Sequence, residues 1–440
     1  MLRWGPPTLG FALAVAAQAA CAADGDPDPF FGDGGQVTIE RPPGAATSSA
    51  PLGDVGALVD GRFLWIMANE DDSVWVGRAA HDGVADAAFG DDASGHVTLT
   101  ECATFSATRL IVESDGGAIV WSGACLLRLD ADGDVAADFG GEPLSQPGFL
   151  AAAFARDHAG RFLLAGTAAQ QWRVFRFTSD GTLDPEFGNQ GIATVTVPAS
   201  NGLRGLNAMA IRADDRIVLG GWRGNTHGPN LVVAQLDVAG NPDPGWNGSG
   251  LVDLEAPSGQ SGIVATALAM GGDGSVFVGG NSNSGSVGCC LLLAKFASDG
   301  ALAPAFGMRL FDLDNSSLGS FFEARDALHV LPDGRLLFGV TAFPIGEHPE
   351  EHRTQFILIR ANFDGTLDAR FGNGGWRGYT ISDPTGTGQR GDYDQLHALA
   401  VDESSALMFG RTFFEDNSNG RDYVSMVRAV LDALFANGFD

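Results

Sequence analysis

The residues with the clearest spacing for chemistry are His348, Glu351 and His352, in the run His348-Pro349-Glu350-Glu351-His352. This fits H-x-x-E-H, in which two histidines hold zinc and a glutamate serves as the base. That chemistry needs both histidines on one helix face, a turn apart. Here Pro344 and Pro349 interrupt the run, which falls in an insert between two expected strands. An exposed polar loop is the favoured reading, and metal analysis of the purified protein decides it. A second candidate, Asp130-Ala131-Asp132-Gly133-Asp134, has the look of a calcium loop. It is one residue short between its second and third acids and lacks the closing Glu, so a hairpin turn is favoured. The recurring Asp184, Asp368 and Asp432 read as turn caps rather than ligands. The chain has no G-x-S-x-G elbow and no phosphate-cradling glycine loop after a strand. His81, His96, His158, His227, His329 and His397 are scattered without fixed partners. No catalytic, cofactor-binding or metal residue is therefore assigned, and no cofactor is expected.

What would have to position such residues is plain from a repeat. Eight segments are versions of one phrase: DPDPFFGDGG, VADAAFGDDASG, DVAADFGG, TLDPEFGNQG, NPDPGWNGSG, ALAPAFGM, TLDARFGNGG and LDALFANG. Their aromatic anchors are Phe31, Phe89, Phe139, Phe187, Trp246, Phe306, Phe371 and Phe435, separated by 58, 50, 48, 59, 60, 65 and 64 residues. A period of this size means a stack or ring of like modules, none of which buries a core alone.

Each interval has the same internal order. A short β-branched run follows the anchor: Val37-Thr38-Ile39, Val97-Thr98-Leu99, Val195-Thr196-Val197 and, less cleanly, Thr380-Ile381. Two strands then flank a tight turn such as Asp60-Gly61, Asp115-Gly116, Asp273-Gly274 or Asp333-Gly334. The strand after that turn is almost wholly apolar, as in Phe63 to Ile66 or Ala406 to Phe409, which means cover on both faces. A last strand leads back to the next anchor. Four strands in each of seven modules predict an all-β fold, a seven-bladed β-propeller of four-stranded antiparallel blades. The anchors are expected to plug the seams between blades. Val37 to Ile39 are expected to pair with the last module and close the ring.

The phrase Gly181-Thr182-Leu183-Asp184-Pro185-Glu186-Phe187-Gly188-Asn189-Gln190-Gly191 resembles the signature of the delta-60 repeat family, bacterial proteins of ~55-residue β repeats of the propeller kind. Gly365 to Gly375 is an equally good copy, and the resemblance covers nearly all of residues 26–437. Three copies depart from the pattern. Nothing separates Gly140 from Gly141, Trp246 replaces Phe, and Met308 stands where a small residue is usual. The resemblance implies the architecture and no catalytic residues.

The division expected is 1–23 signal peptide, 24–435 propeller and 436–440 a short C-terminal tail. Arg3, the apolar run Thr8 to Ala17 and the small residues Ala19 to Ala23 have the make-up of a secretory leader, with cleavage before Asp24 or after Ala19. Cys21 raises lipidation, but Gln18 stands where such a signal normally has an aliphatic residue. Export to the periplasm or medium of a Gram-negative bacterium is expected, without membrane insertion. Export permits disulfides. Cys102 can pair with Cys125 in one repeat, whereas Cys289 and Cys290 pair as neighbours or stay as buried thiols. The tail, Leu434-Phe435-Ala436-Asn437-Gly438-Phe439-Asp440, resembles an ending found on exported proteins of some Gram-negative bacteria; it reads equally as a repeat remnant.

The net charge is −28, and Lys295 is the sole lysine. A surface this acidic repels phosphate backbones and anionic lipid, which excludes nucleic acid as partner. Two functions of different kind remain, with a third behind them. The first is a monomeric, non-enzymatic scaffold that binds a protein or carbohydrate through inserts at one rim: Asn281 to Gly288, Phe343 to Arg353 and Ser382 to Asp394. The second is a hydrolase or lactonase-like enzyme with its site at a central channel. Acids and histidines converging there from several blades favour the enzyme; an apolar channel favours the scaffold. The third is a calcium-dependent adhesive surface.

Overall fold

The computed structural model describes residues 23–431 except 42–52, 70–72, 91–92, 101–107, 124, 141–143, 145–147, 199–201, 226–227, 285–286, 313–317, 323–326, 345–353, 383–392, 403 and 415–420. The leader, Cys102, His227, His348 to His352, Asp432 and the tail with Phe435 therefore lie outside the described residues.

Glycine and aspartate turns cut the chain into short apolar strands, and these assemble into an all-β, seven-bladed β-propeller. Blade 1 holds Asp54–Ala57, Phe63–Ala68, Val74–Ala79 and His96–Leu99 in that order from the axis outward. Blade 3 (Leu150–Arg156 to Ile192–Val195), blade 4 (Arg204–Ile211 to Leu251–Leu254) and blade 5 (Gly262–Met270 to Met308–Asp312) repeat it. Blade 6 splits its inner strand into Leu318–Phe322 and Leu328–Val330, both paired with Leu336–Pro344. The ring closes in blade 7, where Tyr393–Val401, Ser405–Phe414 and Arg421–Val430 take Gln36–Glu40 as the outer strand. The pairing is antiparallel, with Val37 opposite Met426 and Ile39 opposite Val424, as the β-branched run led us to expect.

Blade 2 departs from the expected four strands. Among the described residues it has three, Arg109–Val112, Ala118–Ser122 and Cys125–Leu129. Its anchor phrase runs into Glu142-Pro143-Leu144-Ser145-Gln146-Pro147, whose prolines cannot donate to a ladder. Two outer strands also sit earlier than expected. They are Ile192–Val195 and Trp376–Tyr379, so the ladder starts directly behind the anchor loop and leaves Val197 and Ile381 beyond its end.

Among the described residues the core is divided into seven clusters, each built from the facing sides of two neighbouring blades. Second strands sit between blades on both faces, which is why they read as unbroken apolar runs. One anchor aromatic serves each seam. Phe31 lies between blades 7 and 1, Phe89 between 1 and 2, Phe187 between 3 and 4, Trp246 between 4 and 5, Phe306 between 5 and 6, and Phe371 between 6 and 7. Phe139 serves the seam of blades 2 and 3 and is only partly buried. Seven seams thus take seven of the eight anchors, and Phe435 of the eighth copy lies outside the described residues.

In blades 1, 3, 4 and 6 a side chain eight residues before the anchor aspartate secures it. Arg176 lies over the Phe187 ring at 4.4 Å and pairs with Asp184 at 2.8 Å; Arg360 lies over Phe371 at 4.5 Å and pairs with Asp368 at 2.9 Å. Arg78 does the same with Phe89 and Asp86. In blade 4, Gln235 donates to Asp243 at 2.6 Å. Where the phrase carries Ala136 or Ala303 instead, the cation turns elsewhere: Arg128 pairs with Glu113 and Lys295 with Asp273. The turn glycine of the following blade then packs on each anchor ring. A Cβ on Gly300 would lie 2.8 Å from Trp246, and its φ of +86 lies in the left-handed region. Gly300→Ala is expected to lower stability by about 1–3 kcal/mol, because both the ring and the backbone would have to move. A denaturant midpoint equal to the wild type would exclude this packing.

Candidate functional site

The innermost strand of every blade has one edge with no further strand to pair, so its N–H and C=O groups need other partners. Among the described residues, side chains supply them across six seams. His397 Nδ1 accepts from Gly53 N–H at 3.0 Å, Asp54 Oδ2 from Leu110 N–H at 3.1 Å, and Thr167 Oγ1 from Leu206 N–H at 3.0 Å. Thr341 Oγ1 accepts from Leu396 N–H at 2.8 Å. Arg109 donates to Ala152 O and Asn207 to Ala265 O, each at 2.8 Å. His397, Asn207, Thr266 and Ala152 occupy one structural position: each is the residue skipped by a β-bulge in its inner strand. Nothing in the local sequence marked these bulges, since a bulge is a property of the pair of strands.

The constellation with the most chemistry lies here, across blades 7, 1 and 2. Asp54 opens its strand at the loop-rich end and is partly exposed. Burial raises its pKa, opposed by the charge of Arg109 and by the N–H groups of Leu110 and Val55. In blade 7, Asp422 pairs with Arg41 and with Arg411, the latter at 2.7 Å; burial raises this carboxyl too, against both guanidinium groups. His397 is 1% exposed. A main-chain N–H can only donate, so Nδ1 is an acceptor and the proton sits on Nε2, which is buried without a partner. Burial, then the charges of Arg411, Arg109 and Arg41, bring its pKa down to about 3.

The unfolded chain protonates His397 near 6.5 and the folded chain refuses the proton until about 3. Stability from this group is intact above pH 6.5 and erodes as pH falls below it. At roughly 1.4 kcal/mol per unit, the loss by pH 5 is about 2 kcal/mol. His397→Asn keeps an acceptor for Gly53, as Asn207 occupies the same position in blade 4. Its urea midpoint should fall less between pH 7 and pH 5 than that of the wild type, and equal falls would refute the assignment.

Asp130 Oδ1 accepts the N–H groups of Asp132 and Asp134 at 2.9 and 3.0 Å, which is a turn. Asp184 and Asp368 cap the N–H groups of Glu186 and Arg370 while pairing with arginine. His329 meets Leu399 O at 2.8 Å, His158 meets Asp215 at 2.8 Å on the turn side, and His96 packs on Trp75. Cys125 and Cys290 are both in disulfides; Cys102 and the side chain of Cys289 lie outside the described residues. Among the described residues, no three His, Cys, Asp or Glu side chains are grouped to hold a metal, and no helix is long and apolar enough to cross a membrane.

Topology separates the two faces. Inner strands start, and second strands end, on one face, so the three inserts containing 285–286, 345–353 and 383–392 all leave from it. The opposite face carries the short turns and the anchor phrases.

A family model described as a domain of unknown function (DUF5122) beta-propeller matches residues 160–187, the stretch from the first turn of blade 3 to its anchor. Among solved structures, the polysaccharide lyase Uly1 is similar at 10% identity and a TM-score of 0.48, covering 88% of this chain and 91% of that one. The BP39L lectin from Burkholderia pseudomallei is similar at 12% identity and a TM-score of 0.47, covering 86% and 96%. A protein from Lactobacillus plantarum is similar at 13% identity and a TM-score of 0.41, covering 78% and 84%. No curated protein matches.

Proposed function

We propose that this chain is an exported, non-enzymatic propeller of the delta-60 repeat kind, a scaffold that binds a protein or carbohydrate partner on its loop-rich face. One observation carries the reading: polar side chains of the inner strands are taken up bridging the seams, while every long insert leaves from a single face. Rigid blades with variable loops at one rim are an arrangement suited to recognition. The test is a panel of polysaccharides and exported proteins, probed with the wild type and with a chain whose 345–353 and 383–392 segments are replaced by short glycine-serine links. Binding that survives both replacements would place the contact elsewhere. Export is tested by N-terminal sequencing of protein from periplasm and medium, with Asp24 or Ala20 expected as the first residue.

A second reading has one observation in its favour. Asp54 is a partly exposed carboxyl of raised pKa beside Arg109 at the mouth of the axis, a setting suited to a general acid. Turnover of lactone or glycoside substrates that is lost in Asp54→Asn would select this reading over the scaffold.

A further inference from the structure

Six blades carry an outer strand beyond their third; among the described residues blade 2 does not. Up to its anchor, blade 2 follows the common path. Ala136 N–H donates to Arg128 O as Asp184 N–H does to Arg176 O, and Gly140 N–H donates to Asp180 O as Gly90 N–H does to Asp132 O. Beyond Gly140 it departs. A Cβ on Gly90, Gly188 or Gly372 would run into the carbonyl of the first outer-strand residue, His96, Ile192 or Trp376. On Gly140 it would instead meet Leu126 O of the third strand, at 2.8 Å. The residues that follow fit this departure. Counted from the closing glycine, Pro143 stands where blade 1 has Val97, and a proline has no N–H for the ladder; Ser145 stands where blade 1 has Leu99.

Two features meet at this edge. In the other six blades, the N–H at the place of Arg128 donates to the glycine just ahead of the outer strand, as from Arg78 to Gly95 at 2.9 Å and from Arg176 to Gly191 at 3.0 Å. That direction is the outer edge of Cys125–Leu129, a strand that among the described residues pairs with no other strand than Ala118–Ser122. The seam beneath is open as well. Phe139 is partly exposed, whereas the other six seam anchors are at most 3% exposed. Phe139 stands 5.9 Å from Phe162 and shares a cluster with Leu126. In blade 1 the outer strand supplies this cover: Val97 and Leu99 pack into the seam toward blade 2, and Thr98 between them is exposed.

We propose that the outer edge of blade 2 is a docking strip for an extended segment of a partner protein, which adds as a strand antiparallel to Cys125–Leu129 and carries branched apolar side chains at alternate positions. The strands that fill this place in the sibling blades set that chemistry, as Val37 with Ile39 and Val97 with Leu99 show. Main-chain bonds to Leu126 and Arg128 hold the segment, and its alternate side chains over Phe139 select it. An edge left without such a partner is a liability that a dedicated occupant removes. The strip lies on the rim of the ring and not on the loop-rich face, so it stands whether or not that face binds.

Hydrogen exchange of the full chain, with and without a synthetic peptide of residues 94–100, tests this. The peptide should slow exchange at Leu126 and Arg128 about tenfold and leave Val76 and Arg78 of blade 1 as they were. A peptide with Thr98→Asp should act alike, and one with Val97→Asp and Leu99→Asp should have no effect. Arg128→Pro in the protein should abolish the slowing at Leu126, because it removes the outward N–H at a place where an edge strand tolerates proline. Should that variant not fold, the three peptides decide. Exchange that no peptide alters overturns the proposal. Leu126 and Arg128 amides as slow as Val76 and Arg78 without any peptide overturn it too, since the chain would then cover its own edge. So does protection that rises with protein concentration alone, since the occupant would be a second copy.

Discussion

A mature chain lacking residues 24–40 is expected to lose its single sharp melting transition. The segment does five things at once. It supplies the outer strand of blade 7 through five residue pairs, Gln36 with Val427 to Glu40 with Tyr423. It puts Phe31 into the seam of blades 7 and 1, under Arg428 at 4.8 Å. It lays Gly25 on Phe371. Tyr379 donates its hydroxyl to Gly25 O at 2.6 Å. Three alternate acids pair with arginines of blades 6 and 7: Asp24 with Arg360, Asp26 with Arg377 at 2.5 Å, and Asp28 with Arg428 at 2.6 Å. Burying Phe31 alone is worth about 2–3 kcal/mol, and the exposed edge of Arg421–Val430 adds unsatisfied main-chain groups. Set against a typical total stability of ~5–15 kcal/mol, the loss removes most of it. Circular dichroism melts check this, and a synthetic peptide of residues 24–40 added in trans should restore the transition. An unaltered melt of the shortened chain would mean that the ring does not depend on its closure.

Phe187→Ala is expected to destabilise by about 3–5 kcal/mol. Phe187 is fully buried among residues of blades 3 and 4, so truncation leaves a cavity on both sides of the seam. It also strips the ring from beneath Arg176, a side chain 5% exposed, and from beside Gly240, where a Cβ would come within 2.8 Å of that ring. The effect should be larger than for Phe139→Ala, because Phe139 is already partly open to solvent. Denaturant titrations of both variants give the comparison; a smaller loss at Phe187 would contradict the seam role.

The architecture was legible because its signals are local. The anchor period counted the modules, the apolar second strands announced cover on both faces, and Val37 to Ile39 at the wrong end of the chain pointed to closure in blade 7. Even the departures left a trace: Pro143 and Pro147 stand where blade 2 has no fourth strand among the described residues. An arginine eight residues ahead of the anchor aspartate is present in three copies of the repeat as well, at Arg78, Arg176 and Arg360.

What the sequence determined by itself is a ring of like modules, because each strand's pattern of apolar residues and turns is dictated by its own neighbours in the chain. Tertiary structure decided the rest: that Phe31 fills the seam of blades 7 and 1, and that Asp54, Arg109 and His397 meet around the axis. Those facts depend on groups brought together from positions up to 400 residues apart, as in the pair of Arg428 and Asp28. The reason is geometric: closing a circle joins the ends of a chain, and no local spacing records which residues will meet there.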